Sequence, residues 1–130
     1  MTLLQIKDWL KTMGVAEHYY IGRLDNKQEM SLGVYDRPTG SRPVMALGGL
    51  RNSSYNVRGV SLLLHWTRNK NAAEAAAQAL WDKLVEVRDL DVGNQHIQYL
   101  QMTVSEPIGI GTDADGVYEY VINFNLYYRR

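Results

Sequence analysis

Three short stretches carry residue types that could do chemistry. Residues 113–116 read DADG. Alternating carboxylates followed by glycine open a calcium loop, where side-chain oxygens take the place of the ion's water. The full EF-hand loop needs more acids and a Glu about six residues beyond the Gly. Here Asn123 and aromatic residues occupy that region. Asp and Gly are also the residues a β-turn needs, so a turn is the stronger reading. The GIG at 109–111 resembles part of a phosphate cradle, but such a cradle follows a strand and opens a helix, whereas this one precedes a strand. GG at 48–49 has no Lys-Ser/Thr partner.

The histidines His18, His65 and His96 fall on three different predicted strands, none with a second ligand at metal-binding spacing. A small metal-dependent enzyme built from His18, His65, His96 and Asp113 would need them to converge in space. Histidines on or within a sheet are the simpler expectation. No serine sits in a G-x-S-x-G elbow, so catalysis is poorly supported and no cofactor is expected.

Charge and aromatics give a different signal. Between residues 36 and 58, Arg37, Arg42, Arg51 and Arg58 face Asp36 alone, in an irregular stretch that holds Pro38, Pro43, Gly40, Gly48 and Gly49. A long loop of this kind is usually functional or mobile. With the terminal YYRR and nine tyrosines, it could touch a phosphate backbone or a protein partner. A sequence-specific nucleic-acid reader is disfavoured because no recognition helix carrying basic residues is predicted: residues 71–88 carry Lys83 and Arg88 against Glu74, Asp82 and Glu86.

These residues need elements to position them. The chain has 130 residues, 45% apolar, with 14 basic and 14 acidic side chains and no cysteine. That suits one folded domain over 1–130, with no global charge to drive it onto DNA or an anionic membrane, and no disulfide or thiolate site. The sequence has no apolar run long enough to span a membrane. Its start, MTLLQIKDWLK, is not read as a signal peptide, so synthesis inside the cell is expected.

Residues 2–13 predict a helix, with Leu3, Ile6, Leu10 and Met13 at helical spacing, Trp9 beside them, Thr2 and Gln5 as a capping box, and Gly14 as the stop. EHYYIGRL and EMSLGVY predict a β-hairpin about a DNKQ turn at 25–28. VMALGG suggests a short strand inside the loop. Residues 55–67 predict a strand with Val60, Leu62, Leu64 and Trp66 on one face. Residues 71–88 predict a helix capped by Asn71, with Ala73, Ala76, Leu80, Leu84 and Val87 as its apolar stripe. DLDVGN ends it. Residues 95–104 predict a strand of mixed faces, stopped by Pro107. Residues 117–128 alternate strictly, Tyr118, Tyr120, Ile122, Phe124, Leu126 and Tyr128 on one side, Glu119, Asn123 and Asn125 on the other. The expected fold is α+β: a mixed, mainly antiparallel sheet with two helices packed on one face.

VSLLLHWTRN (60–69), the Ala-rich AAEAAAQALWDKL (72–84) and EPIGIGTDADGVYEYVINFNLYYRR (106–130), in this order and spacing, resemble the phage minor capsid and tail terminator family of long-tailed bacteriophages. The resemblance implies a structural virion protein, made in the bacterial host cytoplasm and placed at the head–tail junction. It implies a homo-oligomer, commonly a hexameric ring, that stops tail-tube polymerisation, contacts the tail tube and head connector proteins, and lets DNA pass without sequence-specific binding. No catalytic, cofactor or metal residue transfers with it. A head- or tail-completion protein of the same junction is the alternative, and a nucleic-acid-binding module a weaker one.

A closed ring needs two different patches on each subunit. The expected pair is Arg37, Arg42, Arg51 and Arg58 against the acidic Asp82, Glu86, Asp89 and Asp91. Arg129 and Arg130 are candidates to face the lumen or the DNA.

Overall fold

A computed structural model describes residues 1–22, 28–37 and 56–129. VMALGG, Arg42, Arg51, Arg130 and most of the DNKQ turn lie outside them. The elements run α1 (Leu3–Thr12), β1 (His18–Ile21), β2 (Ser31–Asp36), β3 (Asn56–His65), α2 (Lys70–Val85), β4 (Arg88–Val92), β5 (Gln95–Met102), β6 (Ile108–Thr112) and β7 (Tyr118–Tyr128). All seven strands join one sheet in the order β1-β2-β3-β7-β5-β4, with β6 also paired to β7. The class is α+β and the pairing mostly antiparallel, as expected.

Both helices bury their apolar stripes on the same face. Ile6, Trp9 and Leu10 of α1 and Ala73, Ala77, Leu80 and Leu84 of α2 join one core with Leu32, Val34, Val60, Leu62, Leu64, Ile122, Phe124 and Leu126. The strand residues are those that alternation put on one side. α2 packs on β7 and β5, while α1 touches β1 and β2 at one end of the sheet and β4 at the other. The sheet is therefore curled, with α1 in its concavity.

Local chemistry sets the helix ends. The Thr2 hydroxyl accepts from the Gln5 N–H at 3.2 Å and the Gln5 side chain accepts from the Thr2 N–H at 2.9 Å, closing the expected capping box. Gly14 follows with φ +65°, a conformation that costs a glycine little. The cap of α2 is Asn69, two residues before the Asn71 expected from sequence. Its Oδ1 accepts from the Ala72 N–H at 3.2 Å.

Three expectations are corrected. β1 and β2 are not a hairpin: they pair in parallel, His18 opposite Ser31 and Ile21 opposite Val34. Gly22, just after β1, and Met30, just before β2, both have positive φ. The Met30 carbonyl accepts from the Glu17 N–H, which starts the parallel ladder. DLDVGN does more than end α2. It supplies β4 and a tight turn at Gly93 (φ +59°) into β5. The GIGT of residues 109–112 lies within β6 and only Asp113–Gly116 is turn. β5 looked mixed in sequence because its register with β7 slips between Ile97 and Tyr99. A bulge there lets Ile97 and Leu100, three apart, both face the core.

Candidate functional site

The sheet's second face, opposite the helices, gathers most of the polar groups. Its register places His18, Ser31, His65 and Glu119 in one row across β1, β2, β3 and β7. His65 is fully buried, as is Ser31, whose hydroxyl donates to the Gln28 carbonyl at 2.8 Å. The His65 Nδ1 lies 3.1 Å from Glu119 Oε2, and Nε2 lies 3.6 Å from Asp113 Oδ2. Two carboxylates thus flank opposite sides of one imidazole.

The same Asp113 holds the β6–β7 turn. Its Oδ1 accepts from the N–H groups of Asp115 at 2.9 Å and Val117 at 3.0 Å. The Val117 bond, then that from Asp115 and the nearby His65 and Arg68, hold its carboxyl below the ordinary value against the opposing effect of desolvation. Arg68 Nε donates to the Asp115 carbonyl at 2.9 Å, tying this turn to the segment before α2. The turn reading of DADG is therefore correct, and its first acid serves backbone amides.

Of the proposed metal set, His65 and Asp113 come together, and His18 shares their row two strands away. His96 lies near the other end of β7, where its neighbour Ile97 pairs with Tyr128. Among the described residues no group of three or more His, Asp or Glu side chains is arranged to hold a metal ion. The physical reason is visible at His65, whose two nitrogens face different acids in divergent directions.

His96 instead meets two of the acids assigned to the interface. Nδ1 is 2.7 Å from Asp91 Oδ1 and Nε2 3.4 Å from Asp89 Oδ1. The hydrogen bonds to Asp91 and then Asp89 raise the imidazole pKa, opposed by some desolvation and by Arg129. Asp89 has φ +49°, so the backbone itself is bent to present one of these acids. Asp82, Glu86, Asp89 and Asp91 are all exposed. Asp82 also accepts from Gln78 Nε2 at 2.9 Å.

The basic half of the expected pairing is more committed. Arg37 reaches across the second face to donate to Asn125 Oδ1 and to the Phe124 carbonyl. Arg58 donates to Asp36 and, at 2.7 Å, to the Met1 carbonyl, binding the N-terminus to β3. Their side chains thus make internal ties. Arg129 is exposed, and its N–H donates to the His96 carbonyl at 2.8 Å.

Sequence reasoning missed Ser31, Gln101 and the stacked pair Tyr99–Tyr127, whose rings are 4.5 Å apart and 10° from parallel, and the partners of Glu119 and Asn125. Tyr127 donates to Gln101 Oε1 at 2.9 Å and Asn125 sits between Gln101 and Arg37. Alternation along 117–128 did place Glu119 and Asn125 on this face. Their partners follow only from strand register, which no local pattern encodes.

A groove of about 430 Å³ runs between α1 and the β4–β5 turn, lined by Gln5, Asp8, Trp9, Leu90 and Val92 among others. No helix among the described residues is long and apolar enough to cross a membrane.

Comparison with known proteins gives one family match, to the family described as bacteriophage tail terminator protein, over residues 3–130. No curated protein matches the chain.

Proposed function

Because the chain belongs to the bacteriophage tail terminator family, a family of virion structural proteins, we propose that it works by contact and without catalysis. It forms a ring of copies at the head-proximal end of the tail, where it stops polymerisation of the tail tube and joins the tail to the head connector. The observation that carries this reading is the extent of the match, which takes in every element from α1 to β7. The exposed acids Asp82, Glu86, Asp89 and Asp91 are offered as part of a subunit contact, and Arg129 as a residue on the lumen side. Arg37 and Arg58 contribute by holding the second face of the sheet and the N-terminus in shape. DNA passes through the ring without sequence-specific binding.

The test is to add the purified protein to tail tubes growing from their major subunit. Rings by native mass spectrometry, and tubes of restricted length with a ring at one end by electron microscopy, are expected. A protein that stays monomeric and leaves tube growth unchanged would refute the proposal.

A further inference from the structure

The second face of the sheet changes character along β7. At the Glu119 end its polar groups gather round the buried His65. At the other end Arg88, Tyr99 and Gln101 are exposed. Register sets Arg88, Tyr99, Tyr127 and Val57 in one row across β4, β5, β7 and β3. The adjacent row holds Gln101, Asn125 and Gly59, and the Arg37 N–H joins it by donating to the Gly59 carbonyl. Neither row contains an acid. The acids of β4, Asp89 and Asp91, are turned to His96.

Hydrogen bonding gives these rows a direction. A guanidinium only donates, so the Arg37 bond turns the Asn125 oxygen towards Arg37. Asn125 Nδ2 then donates to Gln101 Oε1 at 3.4 Å, and the Tyr127 hydroxyl donates to the same oxygen at 2.9 Å. Both amide oxygens are thus used within the molecule. The Gln101 Nε2 hydrogens are left over for an outside acceptor. Among the described residues no carboxylate pairs with Arg37 or Arg88. Arg129, two residues beyond Tyr127, adds another exposed cation.

An acid-free patch of amide and guanidinium donors suits an anion, in a chain that has as many acidic as basic side chains. Its width selects the kind of anion. Arg88 on β4 and the Gly59 position on β3 are three strand spacings apart, roughly 14 Å. A small ion cannot span that, whereas duplex DNA carries a charge about every 1.7 Å of its axis. Arg, Gln, Asn and Tyr side chains are also the usual donors to phosphate and sugar.

We infer that this patch is the surface on which each subunit of the ring meets the sugar–phosphate backbone of DNA. Arg88, Arg129 and Gln101 donate to phosphate oxygens, and the stacked Tyr99–Tyr127 pair lies against the sugars. The patch is sheet surface with no helix on it, so it holds the backbone and leaves base edges unread. The inference deepens the reading in which DNA passes through the ring, and rests on it: the second face of the sheet, not the helices, is turned to the channel.

The test titrates a labelled linear duplex of mixed sequence, free to thread a ring, with the full-length protein at several salt concentrations. Binding that weakens as salt rises, and is equal for duplexes of unrelated sequence, is expected. Arg88→Gln and Arg129→Gln are each expected to weaken it at least about threefold at low salt and to lower the slope of log affinity against log salt by about 1. Gln101→Glu keeps the side chain's size, replaces its donors with a carboxylate, and is expected to weaken binding as much. Lys11→Gln removes an exposed cation on the helix side and is expected to change nothing. All four variants are expected to keep the thermal unfolding midpoint and the ring assembly of the unmodified protein. No binding, binding indifferent to salt, or a loss in Lys11→Gln equal to that in the patch variants would overturn the inference and leave the ring reading standing. So would loss of rings in Arg88→Gln or Gln101→Glu with DNA binding intact, which would make the patch a contact between copies. A protein that stays monomeric alone and with tails would overturn both.

Discussion

His65 and His96 show how one residue type takes two roles according to its surroundings. His65 is fully buried between Glu119 and Asp113, so it fastens β3 to β7 and to the turn that precedes it. Removing a buried group leaves its partners unsatisfied and a void behind. His65→Ala is expected to cost about 2–3 kcal/mol in urea unfolding. A loss below about 0.5 kcal/mol, the level of an ordinary surface substitution, would show that the fastening is unimportant. His96 sits at the surface with Asp91 and Asp89, which raise its pKa above the reference of 6.5. A group whose pKa is raised on folding favours the folded state fully below its unfolded pKa and loses that contribution as pH rises through the folded value. The His96 cluster therefore stabilises the β4–β5 hairpin below pH 6.5 and weakens above it. In an NMR titration Asp91→Asn is expected to move the His96 midpoint down, towards 6.5. Asp113 has the opposite sign. Its depressed pKa gives stability that is present above its reference value of 3.8 and is lost as pH falls through the lower folded value.

Among the elements, the helices were legible because each signal lies within a few residues. Caps, apolar stripe and stop all sit on one stretch of chain, and α1 matched down to its capping box. Thr2→Ala and Asn69→Ala are each expected to cost about 1 kcal/mol, read as a lower thermal unfolding midpoint, while Asn71→Ala is expected to cost little because Asn71 is not the cap. The alternation of β3 and β7 was equally plain. β4 and β6 were hidden for a physical reason: both are short, with every residue of β6 and all of β4 but Val92 exposed, and a strand so little buried has no period-two signal to read. The parallel pairing of β1 with β2 was hidden for another. Two strands close in sequence suggest a hairpin, and the parallel register that sets His18 opposite Ser31 is a matter of tertiary placement. The same limit held at the site. Alternation put Glu119 on the second face, but only register put it beside His65.

At the scale of the molecule, one feature joins these elements. β7 pairs with β3 along its whole length, with β5 near one end and with β6 near the other. It is also the last element in chain order, and partners such as His65 and Glu119 are 54 residues apart. A ribosome delivers the chain from its N-terminus. The helices and the β4–β5 hairpin can form as they emerge, but β3 waits with one edge unpaired and its apolar face uncovered until the final strand is free. Such long-range pairing is slow and leaves nascent sheet edges exposed to other chains. The sheet is thus committed only once β7 has emerged. A chain ending at residue 117 is expected to remain unfolded, giving collapsed amide dispersion in an NMR spectrum and accumulating in aggregates rather than as a smaller native core.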